Sequence, residues 1–323
     1  MIRPIVAAID WIGAQGTQAV ALSLVVGMAV PPLSAVMKPT IPYAVFLLLV
    51  VAFARVDLEA LMARLRKGGL VLLVVCWMML ALPAAVGAVV WATGLAETDP
   101  GIAIAIVLMA IAPPIMSSPA FTYLLGLDGA LSLTVLVAAM VATPVLCPLT
   151  ARMMLGDLLP ISALDLAIRL AVLLAGSVAA AAVVRRLLGR ERIERSANVF
   201  DGLNVLLLFA FAVAIMDGVA ARLLSDPGLI LFCLVASFGM ALVFMALSFA
   251  AFRLNGRSTA LTVSVSSGNR NMALMAAALT GAIPEVSWIY FAVAQVPIYL
   301  LPMLMKPVVT RLLATPDAGS ATS

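Results

Sequence analysis

Ten apolar runs follow one another along this chain, near residues 16–36, 40–55, 69–95, 102–126, 129–153, 163–185, 202–222, 227–253, 258–281 and 286–310. A helix needs roughly 20 apolar residues to cross a hydrocarbon core about 30 Å thick. The runs therefore predict ten transmembrane helices, with the second one short and the fourth and ninth interrupted by polar and helix-breaking residues. Composition excludes a soluble reading. Of 323 residues 65% are hydrophobic and only 11% charged, against about 25% charged in a soluble domain, too few for a surface facing water. The run beginning near residue 17 follows Arg3 and could pass for a signal-peptide core. It continues directly into the next apolar run with no clear cleavage site, and reads as the first transmembrane helix. The expected fold is an all-α membrane protein, one transmembrane domain over 1–323, with the lipid bilayer as its solvent and no room for a soluble catalytic domain.

Charge in the loops predicts the orientation. With both termini inside, the cytoplasmic segments collect Arg3, Arg55, Arg64, Arg66, Lys67, Arg185, Arg186, Arg190, Arg192, Arg195, Arg253, Arg257, Lys306 and Arg311. Those fourteen cations face four on the opposite side, Lys38, Arg152, Arg169 and Arg222, the bias that positive-inside insertion requires. The placement expected is a bacterial inner (plasma) membrane with cytoplasmic termini. A basic balance in a soluble chain would suggest nucleic acid; here the cations have a topological role, and no nucleic-acid partner is expected.

A boundary near Asp157–Pro160 leaves five runs on each side. Five is odd, so two related halves, 1–156 and 157–323, enter the membrane with opposite orientation, the inverted-repeat plan of many secondary transporters. The interrupted run is the fourth of each half. Paired interruptions in corresponding places are the best sequence pointer to a binding site at the membrane midplane.

The first interruption reads Ala112-Pro-Pro-Ile-Met-Ser-Ser-Pro-Ala-Phe-Thr-Tyr123. Its prolines remove backbone donors and clash with preceding carbonyls, so the stretch should face protein or a wet cavity. Ser117, Ser118 and Thr122 offer hydroxyls there; the plainer reading is a proline kink with hydroxyls bonded back to their own helix. The second reads Leu261-Thr-Val-Ser-Val-Ser-Ser-Gly-Asn-Arg-Asn-Met272, placing Ser264, Ser266, Ser267, Asn269, Arg270 and Asn271 in mid-span. An arginine at a helix centre costs roughly 2.5–3.5 kcal/mol on insertion scales. Arg270 lies about a dozen residues from either end of its run, roughly 18 Å, too far for easy snorkelling. The acidic residues all fall at run ends or in loops. That leaves the negative ends of broken half-helices, backbone carbonyls, or an anion from solution to balance Arg270. Ser132 follows the first interruption. Gln295, next to Pro297, either faces the same cavity or makes a helix–helix hydrogen bond.

Other chemistry is poorly provided for. The chain has no histidine, hence neither the usual general base nor the usual metal ligand. Cys76, Cys147 and Cys233 lie far apart in apolar segments and read as packing residues, as does Trp77-Met-Met79. Without a membrane-embedded acid pair or a Ser/Lys dyad, an enzyme, a cofactor or a metal centre is not expected.

Two segments resemble a known family. Ala112–Pro144, with Pro-Pro-Ile-Met-Ser-Ser-Pro-Ala-Phe-Thr-Tyr-Leu, then Ala130-Leu-Ser132 and Thr143-Pro144, is similar to spans four and five of the bile acid:sodium symporter (BASS/SBF-like) family. Ser264, Gly268 and Asn271 fit the Ser-x-x-x-Gly-x-x-Asn pattern of its ninth span. These motifs cover about a fifth of the chain. The resemblance implies ten helices divided into panel and core domains, crossed broken helices four and nine, and carriage of organic anions, commonly with two sodium ions. The sodium residues carry over poorly. Ser118 and Ser132 fall on hydroxyl ligands, but the neighbouring asparagine is Pro119 and a span-five threonine is Leu136. The span-nine glutamate is Ser266, the nearby glutamine Arg270, and a span-three glutamine corresponds to Met78, an alignment resting on Pro83. Losing a carboxylate and gaining a guanidinium disfavours a sodium ion. The reading is thus a divergent member, a secondary transporter of a small organic anion by alternating access, with sodium coupling of the usual kind absent or much weakened. An anion channel or a non-transporting sensor using the same Arg270 is the alternative.

Overall fold

The structure, a computed structural model, describes residues 16–56 and 68–314. Arg3, Asp57, Glu59, Arg64, Arg66 and Lys67, used in the loop-charge and carboxylate readings, lie outside the described residues. The chain is an all-α membrane protein: among the described residues there is no strand, only one isolated β-bridge. Seven helices are long and apolar enough to cross a membrane, Pro31–Ala54, Gly69–Ala92, Gly129–Leu158, Ala163–Leu188, Ala197–Ser225, Pro227–Asn255 and Glu285–Leu313. The fourth and ninth apolar runs of the sequence are each divided into helices too short to count, and the end of the first run falls within Pro31–Ala54.

The helices in order are α1 (Gly16–Ala29), α2 (Pro31–Met37), α3 (Ile41–Ala54), α4 (Gly69–Cys76), α5 (Leu82–Ala92), α6 (Leu95–Thr98), α7 (Pro100–Ile111), α8 (Ser118–Leu124), α9 (Gly129–Leu155), α10 (Ala163–Leu188), α11 (Arg190–Arg195), α12 (Ala197–Ile215), α13 (Val219–Ser225), α14 (Pro227–Phe252), α15 (Arg257–Gly268), α16 (Met272–Leu279), α17 (Glu285–Val293) and α18 (Gln295–Ala314). Proline accounts for several of the divisions. Val30, held at φ −124° and ψ 70°, precedes Pro31-Pro32, and a residue before proline is pushed out of the helical region. One turn of π-helix, Trp77–Ala81, joins α4 to α5 ahead of Pro83. The tenth run, read from the sequence as continuous, is interrupted at Ala294, just ahead of Pro297.

One compact unit comprises, of the described residues, 16–56, Pro160–Ile230 and Ala273–Val293. Its centre is α12, which packs against α1, α2 and α3, while α3 also packs along α10. Polar contacts mark the helix ends. At one end Arg55 pairs with Asp201, and Arg185 Nη1 donates to Val56 O at 2.7 Å. At the other, Lys38 Nζ reaches Asp217 at 2.9 Å and lies 4.3 Å from the Trp288 ring centroid. Between these levels the helices are mostly apolar, and polar groups such as Ser177 and Arg169 bond to backbone carbonyls, of Leu174 and Ala278. On α10 the large side chains of Leu164, Ile168 and Val172 are all more than half exposed, spaced by four residues and so on one stripe. Water would penalise that stripe; lipid is its natural contact.

The other unit comprises, of the described residues, 68–159, Leu231–Met272 and 294–314. Here α9 packs against α4, α7, α8 and α15. Asp128 caps α9 by accepting from Leu131 N at 2.8 Å, and its own N–H goes to the Thr262 hydroxyl of α15 at 3.2 Å. Leu125, Leu127, Ala241, Met245, Leu261, Val265, Leu301 and Val309 form one buried cluster around this junction.

Two glycines test the packing in opposite senses. A Cβ on Gly27 would lie 2.8 Å from both Met216 Cβ and the Val213 carbonyl, whereas one on Gly239 would meet nothing within 4 Å. Gly27→Ala is expected to destabilise the protein by about 1–3 kcal/mol. Gly239→Ala should be neutral or stabilising by about 0.5–1 kcal/mol, since alanine is the better helix former. Thermal unfolding of the purified protein in detergent measures both.

Candidate functional site

Prolines also build the first interruption. Helix α7 is opened by Asp99, which accepts from Ile102 N at 3.0 Å, and it ends at Ile111. The N–H groups that would take the carbonyls of Met109 and Ala110 belong to positions 113 and 114, both proline. The next donor, Ile115 N, is directed elsewhere, to Asn269 O at 2.9 Å. The end of α7 thus presents carbonyls that its own helix cannot satisfy. Cys147 Sγ donates to Ile111 O at 2.9 Å, a role beyond the packing expected of that cysteine.

The second interruption is made by close approach. Ser264 and Ser267 donate to the carbonyls of Met245 and Phe244, at 2.8 and 3.1 Å. A Cβ on Gly268 would fall 2.5 Å from Met245 Cγ and 3.1 Å from Ala241 O, so only glycine lets α15 lie this near α14. Helix α15 ends there, and Asn269 is extended at φ −104° and ψ 99°. The two interruptions then pair backbone to backbone. Pro114 and Arg270 form an isolated antiparallel bridge, flanked by the Ile115-to-Asn269 bond and by Asn271 N donating to Pro113 O at 2.8 Å. Non-helical backbone in an apolar environment is thereby supplied with partners, as it must be.

Arg270 issues from that bridge and is fully buried, with 0% of its surface exposed. Its Nη1 donates to Ala112 O at 3.0 Å and to Met78 O at 3.1 Å. The first is at the negative C-terminal end of α7; the second belongs to the π turn. The guanidinium carbon lies 4.8 Å from the Phe244 ring centroid, within cation–π range. No described residue forms an ion pair with it, and Nε and Nη2 are buried without a hydrogen-bond partner. Carbonyls and helix ends, two of the three balancing sources left open by the sequence, are therefore both present. They engage one nitrogen of three.

The hydroxyls make a separate arrangement. Ser118, Ser132 and Ser266, all buried, form a chain with oxygens 3.1 and 2.9 Å apart. Thr122 bonds back to the Ser118 and Pro119 carbonyls, following the plainer of the two readings. Ser117 is half-buried and makes no side-chain hydrogen bond to a described residue. Asn269 is next to Arg270, but successive residues of extended backbone point to opposite faces. Its Nδ2 turns back to Val265 O at 3.0 Å, and its Oδ1 is buried without a partner. Asn271 and Gln295 are buried, and neither is hydrogen-bonded to Arg270. Reading side chains alone misses the two carbonyls and Phe244. Only Pro83, which deprives the preceding turn of a donor, announces the carbonyl of Met78.

No model of a known protein family matches the chain, and no curated protein matches it. The class that the helices define, an all-α integral membrane protein, rests on the chain's own residues.

Ser132 is the middle member of the hydroxyl chain, so Ser132→Ala removes both contacts and strands two buried hydroxyls. It is expected to cost about 1–3 kcal/mol, more than Ser118→Ala or Ser266→Ala, each of which breaks one contact. Thermal unfolding of the three variants gives the order.

Proposed function

We propose that this protein is a secondary transporter of a small organic anion, working by alternating access and not coupled to sodium in the usual way of the bile acid:sodium symporters, of which it is a divergent member. One observation carries the reading: a fully buried guanidinium with no carboxylate partner among the described residues keeps two nitrogens unspent. Nε–H and the adjacent N–H of Nη2 form one edge of the planar group, a pair of parallel donors that fits the two oxygens of a carboxylate or sulfonate. An isolated buried charge is costly, and a bound anion removes that cost. Because Arg270 is shut from solvent here, the anion enters and leaves in other conformations, which is what alternating access provides. The hydroxyls of Ser117, Ser118 and Ser266 and the amide of Asn271 remain proposed secondary contacts; Asn269, expected with them from the sequence, turns to the opposite face and donates to Val265 O instead.

The proposed architecture is ten transmembrane helices in two inverted five-helix repeats, 1–156 and 157–323, arranged as panel and core. The membrane is the bacterial inner membrane and both termini are cytoplasmic. In support, each compact unit draws pieces from both halves, and these match except for Ala273–Val293. The first two apolar runs of each half fall in one unit. The third run of each half and the first part of the fourth fall in the other. The interrupted runs pair through their backbones. Against sodium stand Ser266, where the family has a carboxylate, and a fixed cation already holding the Met78 and Ala112 carbonyls.

Reconstitution into liposomes tests the proposal. A panel of organic anions is screened first by thermal shift of the purified protein, and the best stabilisers are assayed for uptake and counter-exchange. Saturable exchange, indifferent to a sodium gradient and without unitary conductance, is the expected result. Arg270→Ala should abolish it. Arg270→Lys, a point charge without the planar fork, should lower apparent affinity about ten-fold or more. Uptake like that of the wild type in both variants, or accumulation driven by sodium, contradicts the proposal.

A further inference from the structure

In an α-helix the carbonyl of residue i accepts from the N–H of i+4, and in a π turn from that of i+5. Across Trp77–Ala81 the second register holds, and Leu82 N–H reaches Trp77 O. The next bond in that register would run from residue 83 to Met78 O. Residue 83 is proline and has no N–H. The Met78 carbonyl is therefore left without a donor from its own helix, in a residue with 0% exposure, and a buried carbonyl must find one. Arg270 Nη1 supplies it at 3.1 Å.

We infer that Pro83 is a positioning residue for Arg270: by withholding an N–H from the Met78 carbonyl, it makes that carbonyl a docking point for the guanidinium. Nη1 has two hydrogens and two acceptors, Met78 O from the third apolar run and Ala112 O from the fourth. With both bonds made, the plane of the guanidinium and the direction of its Nε–Nη2 edge are fixed. The proline does this from outside the site, touching no ligand. The pairing of Pro83 with Arg270 stands on these hydrogen bonds alone. Its consequence, an edge held ready for an oxyanion, rests on the carrier reading above.

The test is a double-substitution cycle read as unfolding temperature in detergent, without ligand. In the wild type, Pro83→Ala introduces an N–H that competes with Arg270 for Met78 O. In Arg270→Met that carbonyl has lost its donor, and the same Pro83→Ala substitution restores one from within the helix. Pro83→Ala should therefore raise the unfolding temperature by about 2–4 °C more in the Arg270→Met background than in the wild type. Equal changes in the two backgrounds overturn the inference. Pro302→Ala in α18 is the control and should be additive; coupling of the same size there also overturns it. If Arg270→Met alone yields too little folded protein, the double variant should recover the yield, and failure to improve on the single variant counts against Pro83. None of these readings depends on an anion being carried. Intact coupling together with absent transport would remove the carrier proposal and leave the role of Pro83 standing.

Discussion

Two carbonyls, those of Met78 and Ala112, converge on one nitrogen of Arg270, and the geometry around the paired interruptions follows from that meeting. Pro83 denies Met78 O its helical donor, while Pro113 and Pro114 end α7 and expose the carbonyl of Ala112 at its negative pole. In water these groups would be hydrated and the arrangement would have little consequence. In a lipid-solvated protein each must be satisfied from within. A guanidinium, with five donors on a rigid plane, can serve two carbonyls and still have an edge to offer.

The surrounding side chains secure that placement. Ser264 and Ser267 tie α15 to α14, and Gly268 allows the two to approach until Phe244 lies under the guanidinium. The bridge between Pro114 and Arg270 then fixes where the side chain begins, just as the carbonyls fix where it ends. The Ser118–Ser132–Ser266 chain joins α8, α9 and α15 by hydroxyls alone. What is missing among the described residues is any carboxylate answering Arg270, and that imbalance turns a structural cation into a candidate receptor for a negative guest.

Much of this could be read from residues. Three prolines within Ala112–Tyr123 and a polar cluster around Gly268 mark both interruptions, because proline lacks a donor and glycine tolerates unwinding wherever they fall. The isolation of Arg270 is equally visible, since the acidic residues lie at run ends. Other features were hidden. The carbonyl of Met78 has no side-chain signature, so Trp77-Met-Met79 reads as packing unless Pro83 is traced back along the helix. Asn269 and Arg270 are neighbours in sequence, yet extended backbone sends them to opposite faces, and a count of polar residues merges what geometry separates. The break at Ala294 leaves no mark in the sequence, since Pro297 lies three residues past it, within a run whose hydropathy does not falter.

The most direct measurement is an experimental structure of the protein in lipid, determined with a small organic anion bound. The account predicts two oxygens of that anion within hydrogen-bond distance of Nε and Nη2 of Arg270, with Nη1 still on the carbonyls of Met78 and Ala112. An anion bound elsewhere with that edge bare, or a carboxylate of the chain itself lying against it, would contradict the account.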